Sequence, residues 1–350
     1  MNKHIFYIAA ACVALASCVK NEVRVNAPDK EITFQTVSTK AGAAFDKNHK
    51  FYSYAYFLDK GKTWDVNHTN AQAYIDNALI AYENSPSGNY WAAAKPYYWP
   101  KQGSLTFFAW TDDTPAPSVG TGANVTCAHD TGIKITGYSV KDNLNKDILV
   151  AEIAKNKTKN ESVTGRDWTN GVPTVFRHAL AKVEFKVNKR MAYENVTFKV
   201  KSITLNNVST KGTFTQGSPD ETTGWKWSDW AETDNLTVFS STTGVEVTKT
   251  ANPAPAEFDA LNSTGDYSIV LPQNFNATPI LTIVYDIITS YTGTPVTETV
   301  IETKALNEIY TSNWESKKKY VLGITLGLNE IYWDPSVEAW EDGTVTDIQF

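Results

Sequence analysis

"ALAKVEFKVN", residues 179–188, is the stretch on which the fold turns. Ala181, Val183, Phe185 and Val187 fall on one side of a two-residue repeat, and Lys182, Glu184, Lys186 and Asn188 on the other. Side chains alternate faces along a strand, so this reads as a strand with one face in a core and one in water. The same reading extends outward. "NVTFKVKSITL" (195–205) places Val196, Phe198 and Val200 on one face. It then changes phase at Ser202 so that Ile203 and Leu205 continue the apolar side, which predicts a bulge. "PILTIVYDII" (279–288) is a continuous apolar run and reads as a central strand. "KYVLGITLGL" (319–328) sets Tyr320, Leu322, Ile324, Leu326 and Leu328 against smaller or polar residues, and "GSLTFFAW" (103–110) follows a turn. Aromatic residues make up 12% of the chain and Thr and Val are abundant, which favours strands. Only "NAQAYIDNALIAY" (70–82) carries a helical spacing, Tyr74, Ala78 and Tyr82, and an irregular strand fits it equally. Strands separated by turn residues predict an all-β chain of antiparallel sandwiches.

The first residues read differently. Lys3 precedes an apolar run, Ile5 to Ala14, and "LASC" ends at Cys18. This has the form of a secretory signal, too short for a membrane span, and it resembles a bacterial lipobox whose cysteine becomes the lipidated first residue. One acyl chain anchors weakly and several anchor stably, so such a cysteine implies a tether to a membrane. Removing residues 1–17 leaves 31 basic residues against 38 acidic ones, net −7. That balance argues against nucleic acid and against adhesion to anionic lipid by charge. With Cys12 lost and Cys18 lipidated, only Cys127 remains, so no intramolecular disulfide forms and burial must hold the fold.

Catalytic patterns are absent from the sequence. His49, His68, His129 and His178 have no metal-ligand spacing, and there is no CxxC, phosphate loop, GxSxG or EF-hand loop. His178, beside Arg177, reads as a structural histidine. The carboxylates at Asp112–Asp113 and in "DPSVEAWED" (334–342) read as solvated loop charges; a glycosidase pair needs a set separation that sequence does not give. "GWKWSDW" (224–230) places Trp225 and Trp227 on one face of a strand, with Trp230 close behind. These three are candidates for stacking on sugar rings, or for covering the edge of the core. No cofactor or metal is implied.

Five stretches taken together resemble the fimbrillin family of pilus subunits: "PYYWPKQGSLTFFAW" (96–110), "DILVAE" (147–152), "VPTVFRHALAKVEFKV" (172–187), "WESKKKYVLGITL" (314–326) and "IYWDPSVEAWED" (331–342). The fourth has Ser316 and Lys317 where the family usually has Gly-Lys. The resemblance implies two transthyretin-like β-sandwich domains in tandem, export as a lipoprotein through Cys18, and assembly on the cell surface with other pilus subunits. It also implies a maturation protease cutting between the first strand and the rest. In "EITFQTVSTKAGAAF" (31–45) the matching bond is Lys40–Ala41, with Lys where Arg is usual, followed by small residues that suit a protease. The expected organisation is a signal peptide at 1–17, a removable N-terminal strand at 18–40, a first domain at 41–171 and a second at 172–350. The polar stretch 154–171 serves as a linker or long loop, and the tail 329–350 is a candidate donor strand for a neighbouring subunit.

A sandwich that loses its first strand exposes unpaired edges and an apolar groove, which a strand from another subunit can fill. The first reading is therefore a non-enzymatic structural or accessory subunit of a surface pilus, serving adhesion, with a surface receptor as a further partner. The alternative is a monomeric surface lipoprotein that binds glycans through Trp225, Trp227 and Trp230. A glycoside-processing enzyme has only unpaired carboxylates behind it.

Overall fold

The computed structural model describes residues 31–37, 45–85, 88–162, 170–218, 224–251, 257–261, 268–275, 279–291, 293–310, 313–328 and 331–339. Cys18, Lys40, Ala41 and the last eleven residues of the tail lie outside them. The helical elements named within the described residues are α1 (Trp64–Asn67), a 3-10 turn at His68–Asn70 and α2 (Leu306–Ile309), with Gly224 also helical. No helix among them is long and apolar enough to cross a membrane.

The first half supplies β1 (Phe34–Val37), β2 (Phe51–Leu58), β3 (Gln72–Ser85), β4 (Gly88–Ala93) and β5 (Ser104–Thr111). After the hairpin β6 (Asn124–Ala128) and β7 (Gly132–Ser139) come β8 (Leu149–Ala151), β9 (Ala154–Lys157), β10 (Glu161–Ser162) and β11 (Asn170–His178). Seven of these pair in the order β1-β4-β3-β2-β5-β8-β11, and β11 pairs back onto β1. The sheet is thus a closed ring. The resemblance implied an open sandwich here; the parallel pairing of β1 with β11, Phe34 opposite Val172 through Val37 opposite Val175, is what closes it.

The ring encloses one core, to which Phe51 and Ala55 of β2 and Leu105, Phe107 and Ala109 of β5 contribute. The intervening residues, Tyr54, Tyr56, Phe108 and Trp110, face a second core on the other side. That is why "GSLTFFAW" carries no charged residue and no exposed face: every residue of β5 is buried. The stretch 70–82 is strand from Gln72 onward, not α-helix. Asn77 adopts φ 49° and the pairing of β2 with β3 jumps there, so Ile75 and Ile80 both reach the inner core. A bulge breaks the two-residue period, and the broken period resembled a helical one.

The second half folds into two further sheets. β12 (Ala181–Lys189) pairs in parallel with β19 (Lys318–Leu326), which pairs with β20 (Ile331–Ala339); β15 (Asp259–Leu261) and β16 (Ile269–Val270) lie on the other edge of β12. β13 (Val196–Thr215) pairs along its length with β14 (Lys226–Glu246). Its other edge is shared by β17 (Ile280–Thr289), itself paired with β18 (Val296–Ala305), and by β7. The second core lies between these sheets and the barrel. The expected bulge is present: both pairings of β13 jump between Val200 and Ser202. Pairing also crosses the expected boundary at residue 171. β11, with Val172 to His178, belongs to the barrel sheet, and the hairpin β6–β7 belongs to the sheet of β13. The stretch 154–171, expected as a linker, includes β9 and β10.

Candidate functional site

The site is the seat of the first strand. Ile32 and Phe34 are buried in the barrel core, and Phe34 meets Phe51 and Phe107 edge-on at centroid distances of 5.6 and 5.8 Å. Burying an Ile or a Phe side chain contributes about 1.5–3 kcal/mol, so these two account for roughly 3–6 kcal/mol. A whole domain is stable by about 5–15 kcal/mol. Two side chains, one in the four-residue β1 and one just before it, therefore carry a large share of what holds the barrel shut.

The main-chain bonds of this strand are unevenly placed. On the β11 side four residue pairs are in register, and Val172 N donates to Thr33 O at 2.7 Å. On the β4 side a single pair, Phe34 opposite Trp91, closes the ring, with Ile32 N donating to Tyr97 O at 2.8 Å just before it. β11 is shaped for this close approach. A Cβ on Gly171 would lie 2.5 Å from the Phe34 carbonyl carbon, so only glycine fits. The buried Gln35 amide donates to Gly171 O at 3.2 Å and also to Glu161 O.

Ahead of the strand a side chain does the work of a peptide unit. Asn160 Nδ2 donates to Glu31 O at 2.8 Å, and Asn160 Oδ1 accepts from Thr33 N at 3.2 Å. A donor and an acceptor that bracket Ile32 in this way reproduce the bonding of a parallel ladder. Trp99 Nε1 donates to the same Oδ1 at 2.9 Å and fixes the amide. The Glu31 carboxyl beside this clasp is held above its ordinary value of 4.5, first by burial and then by Glu83.

On the far side of residues 38–44, Phe45 is buried in the same core. It stacks on Phe176 at 5.3 Å and meets Trp91 at 5.2 Å. The bond Lys40–Ala41 therefore lies between two segments that are each anchored in the barrel. Sequence reading placed a strand within 18–40 but did not single out Phe45, Gly171 or Asn160. Asn160 falls in the polar stretch 154–171, where nothing marks one asparagine from another.

The three candidate tryptophans line one cleft but differ in role. Trp227 is 5% exposed and donates from Nε1 to Ala179 O at 2.7 Å, so it belongs to the core. Trp225 precedes the strand rather than sharing its face; it lies edge-on to Phe214 at 5.3 Å, with Lys317 Nζ 3.8 Å over its ring. Trp230 is 40% exposed, and its Nε1 donates to Pro272 O at 3.0 Å. Trp314, not singled out in the sequence, lines the same cleft.

The remaining titratable groups serve the fold. His178 Nδ1 pairs with Asp147, and His49 Nδ1 lies 3.0 Å from Asp113. Asp112 accepts from Thr114 Oγ1 and Ser118 N within its own loop. Burial holds the Cys127 thiol well above the usual thiol range, and a thiol held protonated is a poor nucleophile. No group of three or more His, Cys, Asp or Glu among the described residues could hold a metal ion. The tail residues 331–339 are engaged in the chain's own sheet as β20.

Comparison with known proteins places this geometry in context. The family model described as fimbrillin-like matches residues 39–340, beginning just after β1. A crystal structure of a fimbrial protein from Bacteroides vulgatus shares the fold, with a TM-score of 0.61 at 19% identity over 89% of this chain and 99% of that one. A candidate cell adhesion protein from Bacteroides uniformis matches 90% of this chain and 100% of its own, with 16% identity and a TM-score of 0.47. The fimbrial anchor protein Mfa2 from Porphyromonas gingivalis matches 89% of this chain and 97% of its own, with 10% identity and a TM-score of 0.34. No curated protein matches the chain.

Proposed function

The chain belongs to the fimbrillin-like family, and from that premise we propose that it is a non-enzymatic subunit of a bacterial surface fimbria that enters the polymer by exchanging its first strand. Export proceeds through lipidation at Cys18, which tethers the chain at the outer membrane. A trypsin-like protease then cuts Lys40–Ala41 and frees residues 18–40. The barrel opens at β1, and a strand of another subunit takes its place in the adhesive polymer.

The observation that carries this reading is the construction of β1. With Ile32 just ahead of it, its Phe34 fills the barrel core, yet it pairs with β4 at one position only, while Phe45 anchors the chain beyond the cut. Its loss leaves β4 and β11 as facing edges with an apolar groove between them, a form an added strand satisfies through main-chain bonds and alternate side chains. In the intact chain β1 occupies that groove and prevents assembly before export.

Limited trypsin treatment of the full chain tests the proposal. The expected product is a resistant fragment beginning at Ala41, accompanied by a ladder of oligomers. Lys40→Ala is expected to abolish both. A Lys40→Ala protein that assembles as the wild type does overturns strand exchange, and a cut protein that stays monomeric at high concentration does the same.

A further inference from the structure

We propose that the cleft beside Trp230 is a carbohydrate subsite that takes one neutral pyranose ring of a surface glycan. The cleft has a volume of about 240 Å³ and lies where the start of β14 meets the segments around Pro272 and Asn313.

The backbone there is shaped at a cost. Asp229 and Glu232, on either side of Trp230, adopt φ values of 51° and 55°. Non-glycine residues in this region each cost about 1–3 kcal/mol and persist where the surroundings enforce them, often at ligand sites. The pairing of β14 with β13 jumps nearby, between Lys211 and Thr213. Bulges of this kind re-aim a side chain, and here Trp230 lines the cleft with its indole nitrogen fixed to Pro272 O. The ring is thereby held while 40% of the residue stays exposed.

The chemistry of the lining selects the ligand. A pyranose has one face of C–H groups and a rim of hydroxyls. A fixed indole offers a flat apolar surface to that face with little ordering cost on binding. Exposed Asn313 and Glu315 bring planar amide and carboxylate groups to the same cleft, suited to neighbouring hydroxyls. Trp225 and Trp314 also line the cleft. An extended peptide fits less well: adding a strand needs a straight edge, and the two left-handed residues bend this one.

The full chain, screened on an array of neutral glycans ending in galactose, N-acetylglucosamine, mannose or fucose, is expected to bind at least one of these endings. Titration calorimetry with the methyl glycoside of that sugar then gives the affinity. Trp230→Ala is expected to weaken it at least about tenfold. If that variant loses thermal stability, Asn313→Ala, at an exposed side chain, carries the test with a loss of the same sign. Absence of binding to any glycan overturns the proposal, as does affinity unchanged in both variants or binding of extended peptides only. Lys40→Ala is expected to leave sugar binding intact, so a failure of strand exchange and a failure of this site give different results.

Discussion

The first and last described strands are both single ribbons near a chain end, and they are built in opposite ways. β1 has four residues, lies parallel to β11 and puts Phe34, Gln35 and Thr36 out of contact with water, as Ile32 is just before it. β20 has nine residues and lies antiparallel to β19, its other edge paired with no strand among the described residues; residues 335–339 are exposed. The shorter strand holds more. Length and hydrogen-bond number favour β20, but backbone bonds contribute little net because water replaces them. Apolar burial decides which strand the fold depends on, so a strand can be short enough to be cut away in one piece and still keep the barrel closed.

Matched truncations give the sharpest test of that contrast. Phe34→Ala in β1 removes a ring from a packed core and is expected to cost about 3–5 kcal/mol. Val337→Ala in β20, at a residue 49% exposed, is expected to change stability by less than about 0.5 kcal/mol. Urea unfolding of the two variants measures both. Similar losses would mean that β20 is as deeply built into its sheet as β1 is into the barrel, and the contrast would fail.

The second test separates the apolar hold from the polar one. Asn160→Ala removes the partner that Glu31 O and Thr33 N have now, and because both bonds are only part-buried the cost is expected to be about 1 kcal/mol. The loss is expected to be local. Hydrogen exchange is expected to speed up at residues 32–35, with β12 and β19 unchanged, and trypsin is expected to release the first segment faster. Uniform acceleration across the chain would show that the clasp supports the whole fold rather than its first strand.

How much of this was legible in the sequence depends on the kind of information involved. Alternation reports which face of a strand is buried, so β12, β13 with its bulge, and β19 could be read directly. Alternation does not report which strand is the neighbour. Nothing local in "TFQTV" or "VPTVF" says that Phe34 sits beside Val172, yet that pairing turns a sandwich edge into a closed barrel. Asn160 leaves no trace at all, because a side-chain amide acting as a peptide unit has no period. The tryptophans show the reverse error. "GWKWSDW" has a strand's spacing, but Trp225 lies before the strand begins, and the left-handed residues at 229 and 232 set Trp230 apart from Trp227.

The smallest expected effect concerns pH, and its sign differs between the two strands. The Glu31 carboxyl is held above its ordinary value by burial and by Glu83. The folded state therefore binds the proton more tightly than the unfolded state does. The associated stability is present below about 4.5 and is lost as pH rises through the raised value. Glu338 in β20 is opposite Lys319, whose Nζ lies 2.8 Å from its carboxylate, and this hydrogen bond holds it below its ordinary value. Its contribution is present above about 4.5 and is lost as pH falls through the lowered value. Glu338 is exposed and Glu31 only partly buried, so solvent screens both and each effect is expected to be within about 1 kcal/mol. Hydrogen exchange at pH 4 and pH 7, corrected for the intrinsic rate, reads the two strands separately. β1 is expected to be better protected at the lower pH and β20 at the higher. Glu31→Gln is expected to remove the first difference and leave the second, and Glu338→Gln the reverse. If both strands shift in the same direction with pH, the local carboxyls are not the cause, and the net charge of the whole chain takes their place in the explanation.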